Sequence, residues 1–317
     1  MPRSLLLAGV LVISVIFYAG CKQPEESVGP RYSSEGPEPA AASQSPSYRF
    51  AVHPLYNPVK LSQVYQPLMD YLNNTVPDAS FTLEASRDYA AFEKKIRQAK
   101  IEFLLPNPWQ TLEAMEAGYD VIAMAGNPED FRGIFITRKD SGLKHVTDLK
   151  GKTVSYPAPT ALAGCVMPQY FLYQHGIDIH QDIHNTYVGS QESSIMHVFL
   201  GESAAGATWP SPWRLFQKKH PEKARYLQVQ WQTESLLNNS VMARKDIAPE
   251  LKHRLQKALY LLHETSSGRY ILSTMETAKF HRADNSHYDV IRRFMEEFEQ
   301  NVRGIREKEY GALDSVR

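Results

Sequence analysis

The residues best suited to chemistry stand where short apolar runs end and helical patterns begin: His53, Tyr56, Tyr89, Asn107, Trp109, Thr160, Ser190, Gln191 and Trp209. Their types suit grip rather than bond-making. Aromatic rings stack on a ligand and lend hydroxyls or indole N–H groups, while amides and hydroxyls supply directional hydrogen bonds. Each has a plain structural reading as well. His53 can fasten the turn after its strand, Tyr89 and Trp109 can fill core, and Thr160 and Ser190 are ordinary helix caps. Trp209 and Trp213 flank Pro210 and Pro212, a rigid apolar wall if it faces a cleft. His180 and His184 are spaced for two metal ligands on one helix face. They lie in a turn-rich stretch after Gly176 with no third ligand nearby, so no metal is expected. Cys165 sits in a helical pattern and reads as a small buried hydrophobe. There is neither a Gly-x-Ser-x-Gly elbow nor a phosphate-binding glycine loop, so no catalytic residue and no cofactor are expected.

Composition narrows the classes. The chain has 317 residues, 43% hydrophobic and 22% charged, an ordinary globular mixture. Lys and Arg number 35, as do Asp and Glu. Such a balance argues against nucleic acid as a partner, because displacing phosphate counterions needs excess cation. Two cysteines make no disulfide framework.

Arg3 precedes an apolar run over residues 5–19, followed by Gly20 and Cys21. A basic start, an apolar core and small residues describe a secretory signal. Tyr18, Ala19, Gly20 and Cys21 together resemble the lipobox of bacterial lipoproteins, with Tyr18 where the family prefers Leu. The resemblance implies acylation of Cys21, membrane anchoring, and a place in the periplasm or on the cell surface. A plain secretory signal or an uncleaved anchor is the alternative. Residues 21–47 carry prolines at 24, 30, 37, 39 and 46 with Ser, Glu and Ala. This composition predicts a disordered tether.

From Tyr48 strand-like and helix-like runs alternate: strands near 48–53, 81–83, 101–105 and 121–125, with helices over 61–76, 89–99 and 109–117 between them. The rhythm restarts with an extended run at 132–138 and a strand at 153–156. A helix over 160–175 follows, then a strand at 185–188, a helix over 192–200 and strands at 204–208, 225–229 and 240–244. Long helices over 248–265 and 287–302 close the pattern. Alternation of this kind implies an α/β protein with mainly parallel sheets. Two such units predict two lobes, 48–138 with 241–317 and then 139–240, joined near 136–140 and 239–245. A cleft between strand-end loops would close on a small molecule.

The order of short motifs carries a family resemblance over about residues 48–270. It comprises Phe50 to Pro54, Tyr65 to Leu68, Ser86 to Tyr89, Phe103 to Pro108, and Arg138 to Gly142 with Asp148 to Lys152. Gly164, Met167 with Pro168, Gly176 to Asp178, Val188 to Ser190 and Gly201 complete it. Together they resemble the periplasmic binding proteins of phosphate-, phosphite- and phosphonate-type ABC transporters. The resemblance implies a type II two-lobed fold and a monomer that captures a small, anionic solute for an ABC permease complex. The same fold reporting to a sensor kinase is the second hypothesis, and an enzyme the third. In the family the helix after Tyr156 opens with Ser-Thr-Ser-Gly, whose hydroxyls and N–H groups hold phosphonate oxygens; here Ala161, Leu162, Ala163 and Gly164 stand there. Each lost hydroxyl is a hydrogen bond to charged oxygen worth about 1.5–3 kcal/mol. Ala204 replaces the family's Asp and Gln191 its His, so the resemblance carries the fold and role further than the ligand.

Overall fold

A computed structural model of the protein describes residues 45–305. The expected signal, lipidation at Cys21 and most of the tether lie outside the described residues. The last tether residues are structured: Ser45 Oγ donates to Pro77 O at 3.2 Å, and the first strand begins at Ser47.

The first stretch alternates strands β1 (Ser47–Val52), β2 (Ser80–Glu84), β3 (Phe103–Leu105) and β4 (Tyr119–Ala125) with helices α1 (Pro58–Thr75), α2 (Tyr89–Gln98) and α3 (Pro108–Glu116). Local chemistry sets their ends. Asn57 accepts from Lys60 N ahead of Pro58, whose missing N–H costs nothing at that position. Asp88 caps α2 through Ala91 N. In α1, Leu61, Val64, Tyr65, Leu68, Met69 and Leu72 form one buried stripe.

The chain continues through β5 (Arg132–Arg138), β6 (Thr153–Tyr156), α4 (Met167–Gln174), β7 (His184–Tyr187), α5 (Gln191–Leu200), β8 (Ala205–Thr208), α6 (Pro210–Lys219), α7 (Pro221–Ala224) and β9 (Leu227–Ser235). It returns through β10 (Ser240–Arg244), α8 (Pro249–Leu261), α9 (Ser266–Thr274), β11 (Phe280–His281) and α10 (Asp289–Asn301). No helix among the described residues is long and apolar enough to cross a membrane.

Two sheets result. The first has the order β11-β4-β10-β3-β1-β2 and the second β7-β6-β8-β5-β9. Both are mixed rather than mainly parallel: β10 inserts antiparallel between β3 and β4, and β5 lies antiparallel between β8 and β9. A strand returning from the other sheet enters in the opposite sense, which alternation along the sequence does not reveal. The strand at 132–138 was expected in the first lobe, but it pairs within the second sheet. The chain therefore crosses at 126–131 and 236–239, earlier than expected in both cases. Leu236 N donates to Phe131 O and Ala125 N to Asn239 O, so the two crossings are themselves paired.

Two helical expectations change. The segment at 160–175 opens with a π-turn, Leu162–Val166, before α4, and Val166 N reaches back to Ala161 O. Pro168 has no N–H for an ordinary helical rung at this point. The helix expected over 248–265 stops at Leu261, and after a tight turn Thr265 caps α9 by accepting from Gly268 N.

Phe50, Phe81 and Phe103 form an aromatic centre in the first sheet's core. That core extends to Leu162, Ala163, Val166, Met167 and Trp209 from the other half, so apolar contact joins the halves. Separate clusters around Tyr156 and around Trp213 cover the second sheet.

Candidate functional site

On the first sheet's side, β1 ends at Val52 and His53 is buried. Its backbone N donates to Leu105 O at 3.0 Å and its Nδ1 lies 2.9 Å from the same oxygen, fastening two strand ends. Burial pulls its pKa down to about 4, so the ring is neutral at pH 7. Asn107 caps α3 reciprocally: its Oδ1 accepts from Gln110 N, and Gln110 Oε1 accepts from Asn107 N. The Asn107 amide nitrogen then points across and donates to Thr160 O at 3.1 Å. One helical turn beyond Tyr89, Glu93 is 4% exposed. Its Oε1 accepts from Gln110 Nε2 at 3.1 Å and from Thr160 Oγ1 at 2.5 Å.

On the second sheet's side, Ser190 caps α5 by accepting from Ser193 N, one of the two roles open to it from the sequence. Gln191 follows, 2% exposed. Thr208 Oγ1 donates to its Oε1 at 2.9 Å, and its Nε2 donates to the Tyr89 hydroxyl at 3.2 Å. A methyl group added to Gly164 would stand 2.7 Å from Gln191 Nε2 and 2.8 Å from Oε1. The amide thus packs against Gly164, in the middle of the π-turn.

The structure therefore brings Tyr89, Asn107, Thr160 and Gln191 into direct contact between the sheets. Thr160 does not cap the following helix; its hydroxyl is spent on Glu93. Ala161, Leu162 and Ala163 are buried. Tyr56 is buried too, which raises its hydroxyl's pKa. Trp209 packs on Phe131 of the first crossing at 5.6 Å between ring centres, and Trp213 stacks on Phe216 in the second sheet's core. The two tryptophans do not form a shared wall. A cavity of about 1120 Å³ opens beside these contacts, with Tyr89, Glu93, Trp109, Thr160, Tyr187 and Arg292 in its lining.

Sequence reasoning passed over Glu93, Gln110 and Thr208. For Glu93 the signal was its spacing, four residues after Tyr89 on the same helix face. No group of three or more metal-ligating side chains occurs among the described residues. His180 Nε2 meets the Val302 carbonyl at 3.2 Å and His184 is exposed in β7. Burial pushes the Cys165 thiol up to about 11, so its sulfur is held as an unreactive thiol.

A family model described as ABC transporter, phosphonate, periplasmic substrate-binding protein matches residues 50–288. Among curated proteins, the chain is 24% identical over 181 residues to a probable ABC transporter phosphite binding protein of Prochlorococcus marinus. That match covers 53% of this chain and 61% of the relative. It is 23% identical over 154 residues to the tetrathionate sensor histidine kinase of Salmonella typhimurium, covering 46% and 26% respectively. The chain thus spans less than two thirds of either relative's length. Among solved structures, a binding protein component of a Pseudomonas aeruginosa ABC phosphonate transporter superposes with a TM-score of 0.74 at 19% identity, covering 86% of this chain and 94% of that one. The Prochlorococcus protein in complex with methylphosphonate gives 0.73 at 19%, covering 81% and 100%. The two-sheet architecture is that of type II periplasmic binding proteins, and the family is one of substrate-binding proteins rather than enzymes. With the family model matching three quarters of its length, the chain belongs to the periplasmic substrate-binding proteins of phosphonate-type ABC transporters.

Proposed function

We propose that the protein captures a small anionic solute between its two sheets for an ABC permease, moored to the membrane through an acyl chain on Cys21. We further propose that its anion-holding site differs from that of phosphonate binders. The observation that carries this reading is the Gln191 amide lying on Gly164 and held by Thr208 and Tyr89, beside buried Leu162 and Ala163. In this reading the anion donors are the first-turn N–H groups of the π-turn and of α5, apart from Ser193 N, which Ser190 holds, and Val166 N, which Ala161 O holds. The serine and threonine hydroxyls of the family pattern are replaced by methyl and isobutyl groups. Tyr89, Asn107, Trp109 and Thr160 supply the facing groups, with His53, Tyr56, Ser190 and Trp209 as support around them.

The test is thermal unfolding of the full chain in detergent with methylphosphonate, phosphite, phosphate and small aromatic acids. The expected result is little or no rise in Tm with the first three. A rise of many degrees with phosphate or methylphosphonate would overturn the altered site, because a ligand at a hundredfold excess over its Kd stabilises by about 2.7 kcal/mol.

The match to a sensor kinase favours a second reading, in which closure is reported to a signalling partner. Stimulation of ATP hydrolysis by a permease reconstituted with the liganded protein separates import from sensing.

A further inference from the structure

Helix α10 begins beside the second crossing and runs along the boundary between the halves. Tyr288, just before it, donates its hydroxyl to the Asn238 carbonyl in the second crossing at 2.7 Å. Along the helix, Ile291, Met295 and Phe298 are buried in the first sheet's core. A different face, Phe294, Glu297 and Asn301, meets α4 of the second half. The Phe294 and Tyr170 rings are edge-on at 5.3 Å, Tyr170 OH donates to Glu297 Oε2 at 3.0 Å, and Tyr173 OH to Asn301 Oδ1 at 3.2 Å. At a rise of about 1.5 Å per residue, Phe294, Glu297 and Asn301 stand roughly 9, 13 and 20 Å beyond Tyr288, so the contacts run from near the crossing to far from it.

The residues after the helix tighten the join. Arg303 lies 5.2 Å from the centre of the Phe298 ring, anchoring it to its own half. From there its Nε donates to Gln169 Oε1 at 2.7 Å and one terminal nitrogen to the Pro159 carbonyl at 2.7 Å, with Cys165 Sγ 3.6 Å away. Pro159 borders the cavity and immediately precedes Thr160, whose hydroxyl meets Glu93. Val302 O faces His180 at 3.2 Å.

We propose that α10 with residues 302–305 is a latch that holds the two halves shut, and that Arg303 is its positioning residue, fixing the 157–160 loop at the cavity's edge. The two crossings permit the halves to swing; the latch grips them at the far end of a stiff strut. Opening must break the Arg303, Tyr170 and Tyr173 contacts together, and the same event releases the loop that carries Thr160. The proposal goes beyond the solute reading and is independent of the solute's identity.

The test is amide hydrogen exchange on the full chain without added solute, comparing wild type with Arg303→Ala, Arg303→Lys and Tyr170→Phe. In Arg303→Ala, exchange is expected to quicken about tenfold over 157–166 and also over 53–56 and 107–110. Those latter segments do not touch Arg303 but face the second half, Asn107 through its bond to Thr160 O and Tyr56 through its hydroxyl beside Ser211. Tyr170→Phe, which removes one hydroxyl from a partly exposed site, gives a smaller change in the same segments, and Arg303→Lys restores part of the protection. An increase confined to 157–169 and 297–305, or no change at 53–56 and 107–110 in Tyr170→Phe and Arg303→Ala alike, would overturn the latch and leave Arg303 a local packing residue.

Discussion

The Thr160 hydroxyl reaches Glu93 at 2.5 Å across the boundary between the two sheets, joining a loop after β6 to the middle of α2. Glu93 is almost fully buried, so each donor aimed at it offsets part of the penalty of taking a carboxylate out of water. Thr160→Val keeps the shape and deletes the donor. It is expected to destabilise the closed protein by about 1–3 kcal/mol in urea unfolding, whereas Thr160→Ser, which keeps the hydroxyl, stays close to wild type. Equal stability of the valine and serine variants would show that the contact contributes nothing.

His53 gives the fold a pH dependence whose sign is fixed. Burial lowers its folded-state pKa to about 4 from an ordinary 6.5, so the unfolded chain binds the proton more readily. Its stabilising contribution is complete above pH 6.5, declines as the pH falls towards 4, and is lost below that, about 3 kcal/mol in all. Unfolding midpoints measured from pH 7.5 to 4 should fall more steeply for wild type than for His53→Asn. Parallel curves would contradict the assignment.

Gly164 has room for hydrogen only. Alanine there would press on the Gln191 amide and on Pro157 Cγ at 2.9 Å, and the amide is pinned from two sides. Helix propensity favours alanine by up to about 1 kcal/mol, but overpacking typically costs about 1–3 kcal/mol. A net loss is therefore expected in thermal unfolding. Combining Gly164→Ala with Gln191→Ala should recover part of that loss, a coupling of about 0.5 kcal/mol or more in a double-mutant cycle.

At the first crossing, Gly126 has φ +87°, and a methyl group on it would lie 2.8 Å from Asn238 Nδ2. That nitrogen donates to Asn127 O and ties the two crossings together. Gly126→Ala is expected to destabilise by about 1–2 kcal/mol through the left-handed backbone alone, and amide exchange should quicken over 125–131 and 236–239. Unchanged exchange there would refute the strain argument.

Elements whose signals are local were legible in the sequence. Asp88, Asn107 and Ser190 each precede a helical pattern and each caps it. The apolar stripe of α1 and the run that became β3 follow directly from spacing. Long-range choices were not legible. Nothing near residues 132–138 tells that strand to pair with β8 and β9, because its partners lie far along the chain. Thr160 resembles a cap, yet the turn starts two residues later and the hydroxyl finds a carboxylate from another element. Arg303 sits in a stretch with no periodic pattern, and only packing reveals its reach to Pro159.

The pairing of the two crossings has a mechanical consequence. Strands β4 and β10 run antiparallel in one sheet, β5 and β9 in the other, and backbone bonds at Leu236 and Ala125 continue the ladder between them. The bridge is thus one twisted double ribbon threading both bodies rather than two independent strings. A ribbon of that kind flexes across its thin dimension and resists sliding along its length, so any relative travel of the two sheets would follow a single arc and return each loop to the same opposite number.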